Sequence, residues 1–260
     1  MTDPPAGTVI VAVGDELVGG FTLDTNSHWL AQQVREAGFA CERIEVVGDR
    51  EEAIVAAVRR AVADPRAARV FVCGGVGPTT DDRTLQAVAA ALGRPLAVNQ
   101  EARAHIQGII ERMHAAGWVP TTELSEANAR MAQVPEGATV LHNRRGMASG
   151  LAYPLDGDRW LFVLPGVPRE FQAIAGEEVL PRFFLGGAAP TVRELRYGYA
   201  IEAEFFEPMR VLEREFPDVS VGSYPQTETR QLVLRLRGGD PTRVDAAVAR
   251  LLELRPLPEE

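Results

Sequence analysis

The sequence predicts an α/β domain with a mostly parallel sheet in residues 1–187, followed by a small α+β domain in residues 191–260. Strand-like and helix-like stretches alternate along the first part at the spacing of βαβ units. Several of the strand-like stretches are short, nearly continuous apolar runs, a pattern typical of strands buried on both faces. A Gly- and Pro-rich stretch at residues 186–190 then interrupts the alternation and marks the predicted boundary.

The first elements follow from apolar runs and from residues that begin or end helices. An apolar run that stops at Gly14 predicts a strand at residues 8–13. The polar segment Asp24-Thr25-Asn26-Ser27 supplies cap residues for a helix that Gly38 is placed to end. Two further strands are predicted at residues 44–47 and 70–73, with a helix at residues 51–62 between them.

The remaining elements complete both predicted domains. Helices are predicted at residues 85–92, 101–116, 124–131 and 171–184, and strands at residues 139–141, 151–155 and 160–164. The segment Asp156-Gly157-Asp158 signals a hairpin turn, so this edge of the sheet is predicted to be antiparallel. In the second domain, strands are predicted at residues 192–200, 219–224 and 232–237, and helices at residues 203–216 and 242–254. The resulting order of strand, helix, strand, strand, helix is typical of a small α+β sandwich.

The composition excludes several classes of function. All 27 basic residues are arginine, so Schiff-base chemistry, pyridoxal-phosphate anchoring and a P-loop lysine are ruled out. The formal charge is −9 and no region is basic, which argues against nucleic acid as a partner. Cys41 and Cys73 form neither a disulfide framework nor a CxxC motif. Because there is neither a signal peptide nor an apolar run of about 20 residues, we expect a cytoplasmic protein without a membrane partner.

The strongest local signal lies at the carboxyl end of a predicted buried strand and has the sequence Cys73-Gly74-Gly75-Val76-Gly77-Pro78-Thr79-Thr80-Asp81-Asp82-Arg83-Thr84. Ligands of α/β proteins bind at this edge, where glycines admit a close approach and helix-start amides favour an anionic oxygen. Asp81 and Asp82 would repel a phosphate unless a divalent cation lay between them, and Mg²⁺ suits such oxygen ligands. Alternatively, Thr80 or Asp81 caps the helix and Asp82 complements its dipole.

Three other segments carry candidate site residues. The segment Gly14-Asp15-Glu16-Leu17-Val18-Gly19-Gly20 has the glycine spacing of a Walker A loop but no lysine, so that interpretation fails, and no GxGxxG motif is present. Asp15 and Asp24 could reach the same edge, whereas Glu16 is predicted to be a solvated loop acid. Arginine forks suitable for phosphate occur in Asn143-Arg144-Arg145-Gly146-Met147-Ala148-Ser149-Gly150, and backbone amides in Leu164-Pro165-Gly166-Val167-Pro168-Arg169-Glu170 could line the cleft.

These four segments, in this order, resemble the MoaB/Mog-type molybdopterin-binding domain and, more closely, the N-terminal region of the CinA family. The matching pieces are Gly14-Asp15-Glu16-Leu17, Asp24-Thr25-Asn26, Gly74-Gly75-Val76-Gly77-Pro78-Thr79 with Asp81-Asp82 and Thr84, and Leu164-Pro165-Gly166-Val167-Pro168. The resemblance covers residues 8 to 185, and residues 191–260 look like the middle domain of that family. It implies a three-layer α/β/α domain that forms homo-oligomers. CinA proteins commonly continue into a nicotinamide-nucleotide amidase domain, and this sequence ends first, so we expect no amidase activity.

The resemblance also implies a function and a set of site residues. It implies a metal-dependent pyrophosphatase that cleaves ADP-ribose-like dinucleotides with Mg²⁺, Mn²⁺ or Co²⁺. Asp82, Asp15 and Asp24 would be the catalytic carboxylates, with Asp82 and Asp15 holding the metal. The implied ligand contacts are Asn26, Gly74, Gly75, Gly77, Pro78, Thr79, Asn143, Arg144, Ser149, Pro165 and Gly166.

Three departures from the CinA pattern bear on this interpretation. Cys73 replaces a threonine, Asp15 replaces a threonine, and Ser149 replaces a proline before Gly150. Asp15 is found in the molybdopterin-type version of its loop and therefore favours that ligand. Two alternatives stay open: a molybdopterin-binding or adenylylating protein of molybdenum cofactor biosynthesis, and a non-catalytic nucleotide-binding module.

Overall fold

The computed structural model describes residues 7–198 and 201–257, and the chain divides into two compact units, Met1–Gly187 and Ala188–Glu260. The first unit contains a six-stranded sheet of order β2-β1-β3-β8-β7-β6. The strands of this sheet are β1 (Gly7–Val13), β2 (Ala40–Val47), β3 (Ala67–Cys73), β6 (Thr139–Leu141), β7 (Gly150–Pro154) and β8 (Trp160–Leu164). Two further strands, β4 (Leu96–Val98) and β5 (Gln133–Pro135), form a separate two-stranded ribbon.

The sheet is parallel from β2 to β8 and antiparallel beyond it, as the sequence predicts. β1 pairs in parallel with both β2 and β3, and β3 pairs in parallel with β8. β7 and β6 then add antiparallel strands at one edge. Because the four parallel strands point the same way, the loops that follow β1, β2, β3 and β8 lie at one edge of the sheet.

Helices cover both faces of this sheet, which confirms the three-layer α/β/α architecture. They are α1 (Asp15–Val18), α2 (Thr25–Glu36), α3 (Glu51–Ala63), α4 (Thr84–Leu92), α5 (Gln100–Ala115), α6 (Glu126–Arg130), α7 (Pro168–Ile174), a π-helical turn (Ala175–Val179) and α8 (Leu180–Phe183). Alternate residues of β1 enter different cores: Val9 and Val11 pack with α3, α4 and α5, whereas Ile10 packs with α2 and α7. Burial of β1 and β3 on both faces explains the apolar runs at residues 9–13 and 70–73.

Two features of the first unit differ from the sequence prediction. β4, β5 and the short helix α1 were not predicted, because three or four residues carry too little periodicity to signal an element. The helix predicted at residues 171–184 is α7, a π-helical turn and α8 in succession. Pro181 lacks the amide that would continue α-helical bonding through this stretch, which accounts for the change in pitch.

The second unit is a three-stranded antiparallel sheet of order β10-β11-β9 with helices packed on one face. Its elements are β9 (Thr191–Gly198), a 3₁₀ turn (Glu202–Phe205), α9 (Phe206–Glu215), β10 (Val219–Gln226), β11 (Gln231–Gly238) and α10 (Pro241–Leu254). This is the predicted β-α-β-β-α order, although residues 199–200 at the end of the first predicted strand lie outside the described residues. Within the described ranges, no helix has the length and apolar character needed to cross a bilayer.

Candidate functional site

The loops that follow the parallel strands pack tightly against one another at the carboxyl edge of the sheet. The Gly14 amide donates to the Val47 carbonyl, and the Gly74 amide donates to the Leu164 carbonyl, each at 3.0 Å. Gly74 has a φ of 104°, and a Cβ atom there would overlap the Val13 carbonyl oxygen. Only glycine therefore fits this position, where the β3 loop crosses the end of β1.

The glycine-rich loop after β3 is fixed at its base and leaves amides free at its tip. The buried Thr84 hydroxyl donates to the Gly74 carbonyl at 2.7 Å, and the Thr84 amide donates to the Gly75 carbonyl at 2.9 Å. Within residues 7–198 and 201–257, the amides of Val76 and Gly77 donate to no protein acceptor. Both residues line a cleft, so their amides can receive an anionic ligand.

Asp82 closes this loop and keeps one oxygen available. Its Oδ2 accepts hydrogen bonds from the Thr79 amide at 2.8 Å and the Thr79 hydroxyl at 2.5 Å. The helix cap is Arg83, which makes no side-chain capping bond, so the alternative that Thr80 or Asp81 caps α4 was wrong. Asp82 fixes the turn that precedes α4. Oδ1 of Asp82 accepts no hydrogen bond from the described part of the chain. That oxygen can accept a hydrogen bond from a ligand or water or bind a cation.

The cleft has a volume of about 480 Å³ and is walled by loops from three strand ends. It contains three carboxylates, on Glu16, Asp82 and Glu170. The other lining residues are small or apolar: Gly75, Val76, Gly77, Pro78, Met131, Met147, Ala148, Pro165, Gly166 and Val167. A phosphate bound here would face carboxylates as well as free amides, so charge balance requires a cation.

The structure reverses the predicted roles of Asp15 and Glu16. Glu16 lines the cleft, whereas Asp15 turns toward the loop after β2. The Asp15 amide donates to Asp49 Oδ2 at 2.8 Å, and the Asp49 amide donates to Asp15 Oδ1 at 3.1 Å. This reciprocal pair joins Asp15 to the loop after β2, and Asp15 is not among the residues that line the cleft with Asp82, so its predicted metal-binding role stays a prediction.

Asp49 is a carboxylate of this edge that the sequence analysis missed. Desolvation raises the pKa of Asp49 above its ordinary value, and the nearby charges of Asp15, Glu16 and Asp81 raise it further, while the Asp15 amide opposes the shift. Like-charge crowding of this kind is typical of functional sites. Asp49 follows β2 and Gly48 directly, so its position at a strand end could have indicated a site residue, as it did for the other loops. Asp49 was missed because its loop contains no glycine-rich motif.

Asp24 and Asn26 both act at the start of α2. Asp24 is the predicted cap, since its carboxylate accepts from the Ser27 amide at 2.9 Å, and it does not line the cleft. Asn26 is only 9% exposed, and its Nδ2 donates to the Gly166 carbonyl at 2.8 Å. Its Oδ1 is buried without a partner among the described residues. Asn26 therefore fixes the cleft wall at Gly166 and retains an unused acceptor.

The loop between β6 and β7 is organised by Asn143, which is 1% exposed. Its Nδ2 donates to the Ala148 carbonyl at 2.8 Å and to Glu170 Oε2 at 2.7 Å, while its Oδ1 accepts from the Arg145 amide at 2.9 Å. These bonds make Asn143 a positioning residue of the loop. Arg144 lies away from the cleft, 3.9 Å from Glu177, and the buried Ser149 hydroxyl has no partner among the described residues.

The structure thus brings part of the predicted site together. Gly75, Gly77, Pro78, Asp82, Pro165 and Gly166 line the cleft as predicted, and Gly74, Thr79 and Asn26 support its walls. Asp15, Asp24, Asn143, Arg144 and Ser149 are not part of the cleft lining. Among the described residues, no three His, Cys, Asp or Glu side chains converge as a metal site, so a cation would need further ligands from a substrate.

Comparisons with known proteins agree with this architecture. Residues 9–185 match the profile of the family described as "Probable molybdopterin binding domain", and residues 194–258 match that of "FAD synthase, middle domain". A protein from Pyrobaculum calidifontis is 36% identical over 256 residues, covering 94% of each chain. A CinA-like protein from Gemmatimonas aurantiaca is 40% identical over 172 residues, which cover 66% of this chain and 38% of that protein.

A solved structure provides an independent comparison. The structure of the protein CinA with unknown function from Thermoplasma acidophilum is 27% identical and superimposes with a TM-score of 0.61. The match covers 70% of this chain and 100% of that one. The resemblance of the first unit to the N-terminal region of CinA is therefore confirmed.

Proposed function

This chain belongs to the family of probable molybdopterin binding domains, and we propose that its cleft hydrolyses the phosphoanhydride of an ADP-ribose-like dinucleotide with a divalent cation. One observation carries this proposal. Val76 and Gly77, whose amides donate to no acceptor among the described residues, line one cleft together with Asp82, whose Oδ1 accepts no hydrogen bond there, so a single site can offer partners for both an anionic phosphate and a cation.

The backbone of the glycine-rich loop would bind the diphosphate. Amides at the tip of the loop are fixed in place because Thr84 ties the loop base by two hydrogen bonds. Donors that are already oriented can stabilise negative charge in a transition state without first reorganising. Gly75 and Gly77 have no side chain that would keep phosphate oxygens away from these amides.

The donor chemistry of the cleft fits Mg²⁺, Mn²⁺ or Co²⁺. Asp82 and Glu16 supply carboxylate oxygens, and the substrate phosphates would complete the ligand set, as is common for Mg²⁺. When bound, such a cation polarises a phosphoryl oxygen and neutralises the charge of the diphosphate. Asp49 and Asp15, which lie beside Glu16, would add negative potential that favours the cation.

The side chains would orient the substrate and accept the proton of water. Water adds to one phosphorus atom, the bridging P–O bond breaks, and AMP and a second phosphate ester are released. Glu16 lines the cleft and is exposed, so its carboxylate can accept the proton that the attacking water loses. Glu170 is held by Asn143 at 2.7 Å and has a positioning role.

The test is release of AMP from ADP-ribose by purified protein with Mg²⁺, Mn²⁺ or Co²⁺, and with EDTA as the metal-free control. FAD belongs in the same assay because the second unit matches the FAD synthase middle domain. We expect metal-dependent release that Asp82→Asn abolishes. Asp156→Asn removes the same charge from an exposed hairpin turn and should retain activity. Equal loss in both variants, or no release from either dinucleotide with any metal, would refute the proposal.

The family description favours one alternative, molybdopterin as the ligand of the same cleft. A protein with that function would be stabilised thermally by micromolar molybdopterin and would release no AMP. Tight binding of ADP-ribose without turnover under any of the three metals would instead indicate a non-catalytic nucleotide-binding module.

A further inference from the structure

A second cavity of about 760 Å³ adjoins the cleft and has a very different lining. Met147 lines both cavities, so the loop between β6 and β7 borders both of them. The lining includes four arginines and two histidines, and no aspartate or glutamate. The four arginine charges are unexpected in a chain with a formal charge of −9, and the one acid near a lining histidine is Glu101, 3.4 Å from His142 among the described residues. We refer to this cavity as the arginine pocket.

The charges of the arginine pocket are mostly not used within the protein. Arg112, Arg145 and Arg169 form no ion pair with any acid of residues 7–198 and 201–257. Arg144 has one long contact, 3.9 Å from Glu177. Elsewhere in the chain many arginines pair closely, as Arg243 does with Asp218 at 2.8 Å. Four guanidinium groups around one concavity repel one another unless an anion lies among them.

The backbone around the pocket is fixed by partly buried hydrogen bonds. His105, on α5, has its ring nitrogen 3.1 Å from the Gly146 carbonyl, which joins α5 to the β6–β7 loop. The Arg145 amide donates to the buried Asn143, and Asn143 in turn bonds Glu170, the neighbour of Arg169. Three separate elements that carry the arginines are thereby tied together. The pocket is consequently a built feature of the fold and not a chance gathering of surface side chains.

The pocket also contains an exposed aromatic side chain. Trp118 is 77% exposed and lines the pocket together with Ile109 and Met113. Arginine forks match the geometry of phosphate oxygens, and an exposed indole offers a face for stacking a flat ring. We propose that the arginine pocket is a second ligand site, which binds a nucleoside monophosphate through its phosphate group and its base. This site is separate from the metal-dependent cleft and does not depend on the function proposed for that cleft.

The test is binding of AMP to the full chain in EDTA, where metal-dependent turnover is absent, with tryptophan fluorescence and calorimetry as readouts. We expect AMP to quench the fluorescence of Trp118, with Trp118→Phe as the control that identifies the signal. Adenosine should bind at least about tenfold more weakly, because it lacks the group that the arginines recognise. Inorganic phosphate should compete with AMP.

Two double variants separate a specific site from general charge attraction. Arg112→Ala with Arg145→Ala should weaken AMP binding at least about tenfold and make it less sensitive to salt. Arg94→Ala with Arg103→Ala removes the same charge outside the pocket and should leave AMP binding unchanged. Equal losses in both double variants, or no AMP binding by the wild-type protein, would overturn the proposal.

Asp82→Asn distinguishes this proposal from the function proposed for the cleft. The variant should bind AMP in EDTA as the wild-type protein does, whether or not the wild-type protein hydrolyses ADP-ribose. If Asp82→Asn abolished AMP binding in EDTA, the AMP would lie in the cleft, and the separate site would be refuted. Absence of ADP-ribose hydrolysis with intact AMP binding would refute only the function proposed for the cleft.

Discussion

A methyl group added at Gly77 should displace the carboxylate on which the proposed reaction depends. An ideal Cβ at this position would lie 2.6 Å from Asp82 Oδ2 and 3.1 Å from its Cγ. Normal contacts between such atoms are about 3.5 Å, so the carboxylate must retreat by roughly 1 Å. The φ of Gly77 lies outside the left-handed region, so alanine is compatible with the backbone and the clash is the main effect.

The magnitude follows from the two hydrogen bonds that hold Asp82. Retreat of Oδ2 would lengthen its bonds to the Thr79 amide and hydroxyl, now 2.8 and 2.5 Å, beyond effective hydrogen-bond distance. Each bond contributes about 1 kcal/mol at this partly exposed site, because water can replace it, so stability should fall by about 2 kcal/mol or less. A catalytic group misplaced by about 1 Å costs roughly 10²-fold in rate. Gly77→Ala should therefore impair turnover far more than folding.

The assay compares kcat/KM for AMP release with the thermal midpoint in the same preparations. Gly176→Ala is the matched control, because a Cβ there meets no atom within 4 Å. Gly77→Ala activity within about threefold of wild type would refute the reasoning, because it would show that the position of Asp82 does not control the rate.

Three further predictions concern titrating groups. Asp49→Asn should raise the thermal midpoint, because a carboxylate with a raised pKa destabilises the fold once it is ionised. The gain in the free energy of unfolding should be below about 1 kcal/mol, and a lower midpoint would contradict the prediction. The same variant should weaken Mn²⁺ binding, because it removes a negative charge near the cleft. Burial raises the pKa of Tyr197 above its ordinary value of 10.0, so ionisation of this group in the unfolded chain should lower stability as the pH rises past 10.0. Tyr197→Phe should reduce this dependence, measured by thermal midpoints in alkaline buffers. At neutral pH, Tyr197→Phe should lower the free energy of unfolding by about 1 kcal/mol, because it removes the hydrogen bond of 2.9 Å that the Tyr197 hydroxyl donates to the Arg255 carbonyl. The Cys73 thiol, whose pKa is raised well above 9.0 by burial, should resist alkylation until the protein unfolds, and rapid native-state labelling would contradict this.

The sequence predicted the central sheet well because its strands are buried on both faces. The runs that became β1, β3 and β8 are apolar and end at glycine or proline, so their positions and order were visible. Helix α2 was equally visible from its Asp24 cap and from Gly38, whose φ is 83°. The ribbon of β4 and β5 was not, because its pairing joins three-residue segments that are distant in sequence.

The site was predicted in part, and the failures concern the directions of side chains. Asp15 and Glu16 are adjacent acids, and nothing local shows which one faces the cleft. The choice is made by the reciprocal hydrogen bonds between Asp15 and Asp49, 34 residues apart in sequence. The arginine pocket was hidden for the same reason: the arginine-containing loop at residues 143–150 was evident, but Arg112, Arg169 and Trp118 come from other segments.

The most direct test of the central claim is Mn²⁺ binding in the presence of an ADP-ribose analogue whose bridging oxygen is replaced by a methylene group. The analogue cannot be hydrolysed, so paramagnetic resonance would report the complex without turnover. The account predicts about one Mn²⁺ per chain, bound only with the analogue, and at least about tenfold weaker in Asp82→Asn, because the substrate phosphates complete the ligand set. Mn²⁺ uptake that is absent, or that Asp82→Asn leaves unchanged, would contradict a metal-dependent site in this cleft.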